Sequence, residues 1–249
     1  MSSDAHGDNF IISSSGVNQY LEERDINEQC HATICNSSVV IAQLEIPYAV
    51  IGAALQLAQG SQLATDARRP VTILNPAPAA TDIPVSLLAN TDVIVPNESE
   101  TETLTGISVD TSTDTLKAAA RNLCSHGPRV AIITLGSKGA FLMAYLDETN
   151  DTNEPFYWST IYPPFEVPKV EDTVGAGDAF IGGLAFALWH SRCVQTPSEG
   201  QRLAKLGISY PQLEKCVKFA CACGSYSVQT RGAQTSLPLA DESLTNLLV

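Results

Sequence analysis

Two acids flank a glycine-rich turn in Asp172-Thr-Val-Gly-Ala-Gly-Asp178-Ala-Phe180, and an apolar, helix-like run over 180–188 follows at once. Glycine turns leave backbone N–H groups bare. The first turn of a helix leaves more of them unpartnered, at the positive end of its dipole. Gly175, Ala176 and Gly177 therefore read as a cradle for anionic oxygens, with Asp178 at its lip. A carboxylate there suits removal of a proton from an alcohol while a phosphoryl group moves onto it. An acid at a helix start also serves as a plain cap. On Gly-Ala-Gly-Asp alone the two readings stand level.

Asn97 and Glu100 stand three apart at a helix start. That spacing is the capping box, and a Glu on the first turn can also reach a water bound to Mg²⁺. Glu45 ends an apolar run beside Pro47. Strand ends in a parallel sheet face the ligand crevice, so its carboxylate could accept bonds from sugar hydroxyls, or it could be a solvated acid of the next helix. Thr134-Leu-Gly-Ser-Lys-Gly139 reads as a turn after a strand, with Lys138 meeting either a phosphate or solvent. No Gly-x-x-x-x-Gly-Lys-Ser/Thr string exists, which excludes a P-loop enzyme.

Short apolar runs at 39–44, 71–74, 92–95 and 130–135 read as buried strands. Helical patterns fill 47–59, 98–104, 116–124, 213–228 and 241–248, and 136–139 is a tight turn into 140–145. Alternating strands and helices predict a three-layer α/β/α domain over 1–249 with a mainly parallel sheet. The acidic stretch 147–154 reads as a solvated loop and 191–209 as a surface insertion. Phe180, Phe186 and Trp189 sit at helical spacing and read as packing residues.

The chain has 249 residues, 44% of them hydrophobic and 16% charged, enough for one domain with a full core. A net charge of −13 argues against nucleic acid and anionic membrane as partners, but not against ATP, which arrives with Mg²⁺. The seven cysteines are scattered without a metal-type pair. They suit a reducing compartment, the cytoplasm or the nucleus. No basic leader or membrane-length apolar run is present.

The string at 172–180 resembles the signature of the ribokinase family of sugar and nucleoside kinases. Gln43-Leu-Glu45-Ile-Pro47, Leu74-Asn-Pro-Ala-Pro78, Pro96-Asn-Glu-Ser-Glu100, Ile133-Thr-Leu-Gly-Ser-Lys-Gly139 and Arg231-Gly-Ala-Gln234 match it in order, from about Gly7 to about Pro238. The resemblance implies ATP-dependent phosphorylation of D-ribose at its 5-hydroxyl. It implies Asp178 as base, also touching the sugar, and Gly175, Ala176 and Gly177 as anion hole. Glu45 becomes a ribose contact, and Asn97 with Glu100 the magnesium and phosphate region. Asn97, Thr134, Gly136, Ser137, Gly139 and Gly177 become nucleotide contacts. A monovalent cation, usually K⁺, falls to Asp172, Val174, Gly232 and Ser236.

Two departures matter. Ala220 stands where some ribokinases place an Asn near the nucleotide. The family also opens with a segment carrying Gly-Asp and Gly-Gly…Asn motifs, whereas the one Gly-Gly here is Gly182-Gly183. The resemblance starts within a partial β lid, about 7–20. It therefore implies a truncated fold with an unpaired strand edge, bare apolar surface and a weakened lid-to-lid homodimer, poorly soluble or dependent on a partner. The alternative reading is a catalytically impaired nucleotide-binding or partner protein, or a kinase for another sugar or nucleoside.

Overall fold

A computed structural model describes residues 2–3, 9–10, 16–61, 69–110, 112–149, 155–194, 202–203 and 205–239. Six strands form the main sheet in chain order: β1 (Val39–Ala42), β2 (Val71–Leu74), β3 (Val93–Ile94), β4 (Val130–Thr134), β5 (Ala140–Thr149) and β6 (Pro155–Tyr162). The first four run parallel, and β5 and β6 close the sheet as an antiparallel hairpin.

Side-chain alternation divides the core between the two faces. On one face Val71, Ile73, Val93, Val130 and Ile132 pack under two long helices, α5 (Ala176–Val194) and α6 (Tyr210–Ser227). On the other, Leu74, Ile94, Ala131 and Ile133 pack under α1 (Tyr48–Gly60), α2 (Val85–Ala89) and α4 (Thr113–Cys124). The helix α3 (Glu98–Thr105) follows β3 directly. The strand β2 is buried on both faces, as a strand covered by helices above and below must be. The three-layer α/β/α expectation therefore holds.

Pro47 caps α1, and Val50, Ile51, Leu55 and Ala58 form its buried stripe. Asp92, 1% exposed, stands at the start of β3. Both its oxygens meet Arg69 at 2.7 Å, and it also accepts from the Thr72 backbone at 3.0 Å. This bidentate pair locks β2 and β3 at the N-terminal rim of the sheet.

Several expectations are corrected. The run at 39–44 is the sheet's edge, not a buried strand: β1 ends at Ala42, pairs only with β2 among the described residues, and leaves Ile41 38% exposed. Residues 147–149 belong to β5 rather than to a loop: Thr149 pairs with Pro155 beyond an irregularity that follows Leu146. The surface insertion read at 191–209 is corrected at both ends: α5 runs to Val194, and Leu203, Leu206 and Ile208 are buried in the core with α5 and α6, Ile208–Ser209 pairing with Arg202–Leu203. Trp189 is 43% exposed because the stripe facing the sheet is Ile181, Leu184, Ala187 and Leu188. Helical turns at Gly16–Tyr20, Glu23–Asp25 and His31–Cys35 precede β1 without a periodic signal in the sequence. Of the lid expected over 7–20, one pairing of Ser2–Ser3 with Asn9–Phe10 is described. The helix read at 241–248 lies outside the described residues.

Candidate active site

Strands β1 to β4 are parallel, so the residues just past their C-terminal ends share one rim. Glu45 follows β1, Asn75 follows β2, Asn97 follows β3, and Thr134 ends β4. Asn75 donates its side-chain amide to the Val95 carbonyl at 2.9 Å, tying two of these ends together. Asn97 and Thr134 are bridged as neighbours, with the Thr134 amide on the Pro96 carbonyl at 2.9 Å.

The same rim receives the start of α5, and the far end of that helix shows why. Arg192 donates to the carbonyls of Ser38 and Arg69 at 2.7 and 2.8 Å, just before β1 and β2. The C-terminal end of α5 is thus pinned at the N-terminal rim. Its first turn lies about 20 Å away at 1.5 Å per residue, toward the opposite rim. No local pattern marks Arg192 for this task, since its partners lie far away in the sequence.

At the mouth of α5, Gly175 has φ +84°, and a Cβ there would stand 3.0 Å from the Ala233 carbonyl. Its carbonyl accepts the Ala179 amide at 2.8 Å, so Gly175 caps the helix. That leaves the amides of Ala176, Gly177 and Asp178 without intrahelical acceptors. One departs from the expected cradle: the Ala176 amide donates to the Thr173 carbonyl at 3.3 Å. Gly177 is open, with nothing within 4 Å of where its Cβ would be. Asp178 is exposed. It borders a groove of about 250 Å³ whose other walls, Gly182, Phe186, Phe219, Cys223 and Leu237, are apolar.

Asp172 is used differently. One oxygen accepts the Val174 amide at 3.0 Å and the other the Gly232 amide at 3.1 Å. Those bonds, the Val174 one first, hold its carboxyl below the ordinary value. The residue joins the glycine turn to the segment that also carries Ser236, which is buried. Asp172, Val174, Gly232 and Ser236, whose oxygen types suit a hard cation, thus sit on two tied turns, with the Gly232 carbonyl accepting the Ser236 amide at 3.3 Å.

Asn97 and Glu100 form a complete capping box. The Asn97 side chain accepts from the Glu100 amide, and Glu100 accepts from the Asn97 amide, both at 2.8 Å. Glu100 is buried, and that desolvation pushes its carboxyl upward. A buried carboxylate already holding an N–H fits Mg²⁺ through a bound water rather than directly. Lys138 pairs with Glu98 at 3.2 Å. Gly136 and Gly139 both have positive φ, and a Cβ on Gly139 would fall 1.9 Å from the Tyr162 carbonyl. Gly139 is therefore required by close backbone passage, whatever it contacts besides. Ser137 is exposed in the same turn, and Glu45 is exposed beyond the edge strand. Ser225 accepts the Phe165 amide at 3.1 Å, a tie that sequence reading missed.

An α/β/α sheet with an acid and a glycine turn at a helix mouth, above the C-terminal strand ends, is an arrangement that can serve phosphoryl transfer. Residues 1–240 match the pfkB family carbohydrate kinase model, and the chain belongs to that family. It is 33% identical to a ribokinase of Staphylococcus aureus over 240 residues, covering 96% of this chain and 65% of that one. The chain therefore spans less than two thirds of that curated relative's length. A Giardia lamblia ribokinase structure superimposes with TM-score 0.80 at 22% identity, over 99% of this chain and 69% of that one, a likeness of fold. The Arabidopsis thaliana ribokinase complexed with ribose and ATP gives 0.66 at 26% identity, over 89% and 59%.

Proposed function

We propose that this chain carries the phosphoryl-transfer centre of an ATP-dependent sugar kinase that converts D-ribose to D-ribose 5-phosphate. The observation that carries it is the exposed Asp178 carboxylate on the first turn of α5, beside amides that the helix leaves unpartnered. Similarity to ribokinases, one solved with ribose and ATP, supports the choice of sugar and nucleotide.

In this reading Asp178 takes the proton of the 5-hydroxyl as its oxygen attacks the γ-phosphorus in line. The backbone of Gly175, Ala176 and Gly177 stabilises the developing charge, with Gly177 contributing most because Ala176 is shared with Thr173. Asn97, Thr134, Gly136, Ser137 and Gly139 line the nucleotide side, and Glu45 accepts bonds from the sugar. Asn97 and Glu100 would hold water of the Mg²⁺ shell, and Asp172, Val174, Gly232 and Ser236 the monovalent cation. When bound, the metals neutralise phosphate charge. The seven scattered cysteines fit the reducing, cytoplasmic setting that belongs to this reading. We read 1–249 as one domain, whose described residues are arranged around one six-stranded sheet.

One observation favours a second reading, a nucleotide-binding protein with impaired turnover. Among the described residues, the groove beside Asp178 has no polar wall except that acid, and Glu45 follows a strand paired on one side. Ribose-dependent ADP release separates the two. The kinase reading expects turnover that falls about 10²–10⁴-fold in Asp178→Asn while ATP binding by calorimetry is kept. A variant that keeps its rate removes Asp178 as base. A wild-type chain that binds ATP but never turns over supports the second reading.

A further inference from the structure

Lys138, open in the sequence between a phosphate and solvent, meets a carboxylate: its Nζ stands 3.2 Å from Oε1 of Glu98. The two residues lie 40 positions apart. They sit on neighbouring turns of the C-terminal rim, one following β3 and the other β4. Backbone bonds fix both turns. The Lys138 amide donates to the Leu135 carbonyl at 3.0 Å, and the Leu135 amide to the Gly139 carbonyl at 2.8 Å. The Thr134 amide on the Pro96 carbonyl joins the turns at their base, at 2.9 Å. The ion pair is a second tie across the same gap.

Glu98 opens α3, whose run Glu98-Ser-Glu-Thr-Glu-Thr-Leu-Thr105 holds acids at 98, 100 and 102 and no base. A helix dipole favours acids in the first turn. An incoming polyphosphate does not, and this turn also carries Asn97 and Glu100, the residues proposed for the phosphate and magnesium region. The side chains of Lys138 and Glu98 are 53% and 40% exposed, and so open a pair adds little to folding stability. Its effect is local and electrostatic.

We propose that Lys138 is a positioning residue for the nucleotide: it cancels the Glu98 charge beside the phosphate site and holds the 136–139 turn to the start of α3. The inference rests on the kinase reading above. Lys138 acts through Glu98 and not by touching phosphate. Left alone, the Glu98 carboxylate would face the nucleotide uncompensated. Near a protein surface, one such charge close to a polyphosphate changes affinity about five- to tenfold at low salt.

Calorimetric binding of Mg·ATP to the purified chain, at low and high salt, tests this, with ribose-dependent turnover as a second readout. Lys138→Met should raise Kd and the KM for ATP about five- to tenfold at low salt, with kcat changed less than about twofold. Adding Glu98→Gln should restore affinity to within about twofold of the wild type, because the charge that needed cancelling is gone. Lys138→Arg should keep wild-type affinity. High salt should narrow the gap between Lys138→Met and the wild type. Circular dichroism should be unchanged throughout, since both side chains are about half exposed. A double variant as weak as Lys138→Met would make Lys138 a direct phosphate contact and overturn the proposal. So would a Lys138→Met variant that binds as the wild type does. A wild-type chain that binds no Mg·ATP removes the nucleotide reading itself, and this inference with it.

Discussion

The two sides of the C-terminal rim are finished to different degrees. On the side proposed for phosphate, the turns are held by hydrogen bonds: Asn97 with Glu100 in one capping box, Thr134 to Pro96 and Asp172 to Gly232. On the acceptor side, Glu45 follows an edge strand whose outer backbone faces no described strand. Preorganised dipoles can stabilise charge without further rearrangement, whereas an alcohol must be held in place before a base can act on it. Among the described residues, the side proposed for phosphate is therefore held more firmly than the side proposed for sugar.

Asp178→Asn should produce the largest change, the loss in turnover given above with nucleotide affinity kept; equal loss of both would erase the distinction between the sides. Next comes Arg69→Met, far from the rim. It leaves the Asp92 carboxylate buried without its partner and should cost about 3–5 kcal/mol by urea unfolding, with the kcat of the remaining folded protein unaltered. Gly175→Ala puts a side chain at φ +84° against Ala233 and should cost about 1–3 kcal/mol. It should also weaken ATP binding, since the cap and the cradle are one structure. Glu100→Gln keeps a capping acceptor and relieves a buried charge, so stability should hold within about 1 kcal/mol or rise. An increased Mg²⁺ requirement in that variant would assign Glu100 to the metal shell, and an unchanged one would leave it a cap.

The smallest effect concerns pH. The carboxyl of Asp172 is lowered from 3.8 in the fold. Its contribution is therefore present above that value and lost as pH falls through the lower, folded one. Amide proton shifts of Val174 and Gly232 should move together in that acid range and stay flat at neutral pH. Independent movement would mean that the two amides do not share one acceptor.

The turns proposed to hold phosphate could be placed from the sequence because their signals are local. Glycines of positive φ, the Asn97–Glu100 spacing and the strand at 71–74 are each written in a few adjacent residues. What it hid depends on distant partners. The hairpin strand β6 draws its order from β5, and Arg192 finds its carbonyl acceptors beside strands more than a hundred residues earlier. The apolar run at 39–44 looked buried because composition records hydrophobicity and not how many neighbours a strand has. The Ala176 amide was read as free because a contact with Thr173 leaves no trace in residue type.

The bridge from Asp172 to Gly232 joins positions sixty apart. A short synthetic peptide bearing the motif, or the motif grafted onto an unrelated scaffold, would lack the second strut and relax. Substitutions in the 231–236 turn should accordingly reshape the phosphate cradle as surely as changes inside the motif itself, so mutational tolerance in the two stretches should rise and fall in step.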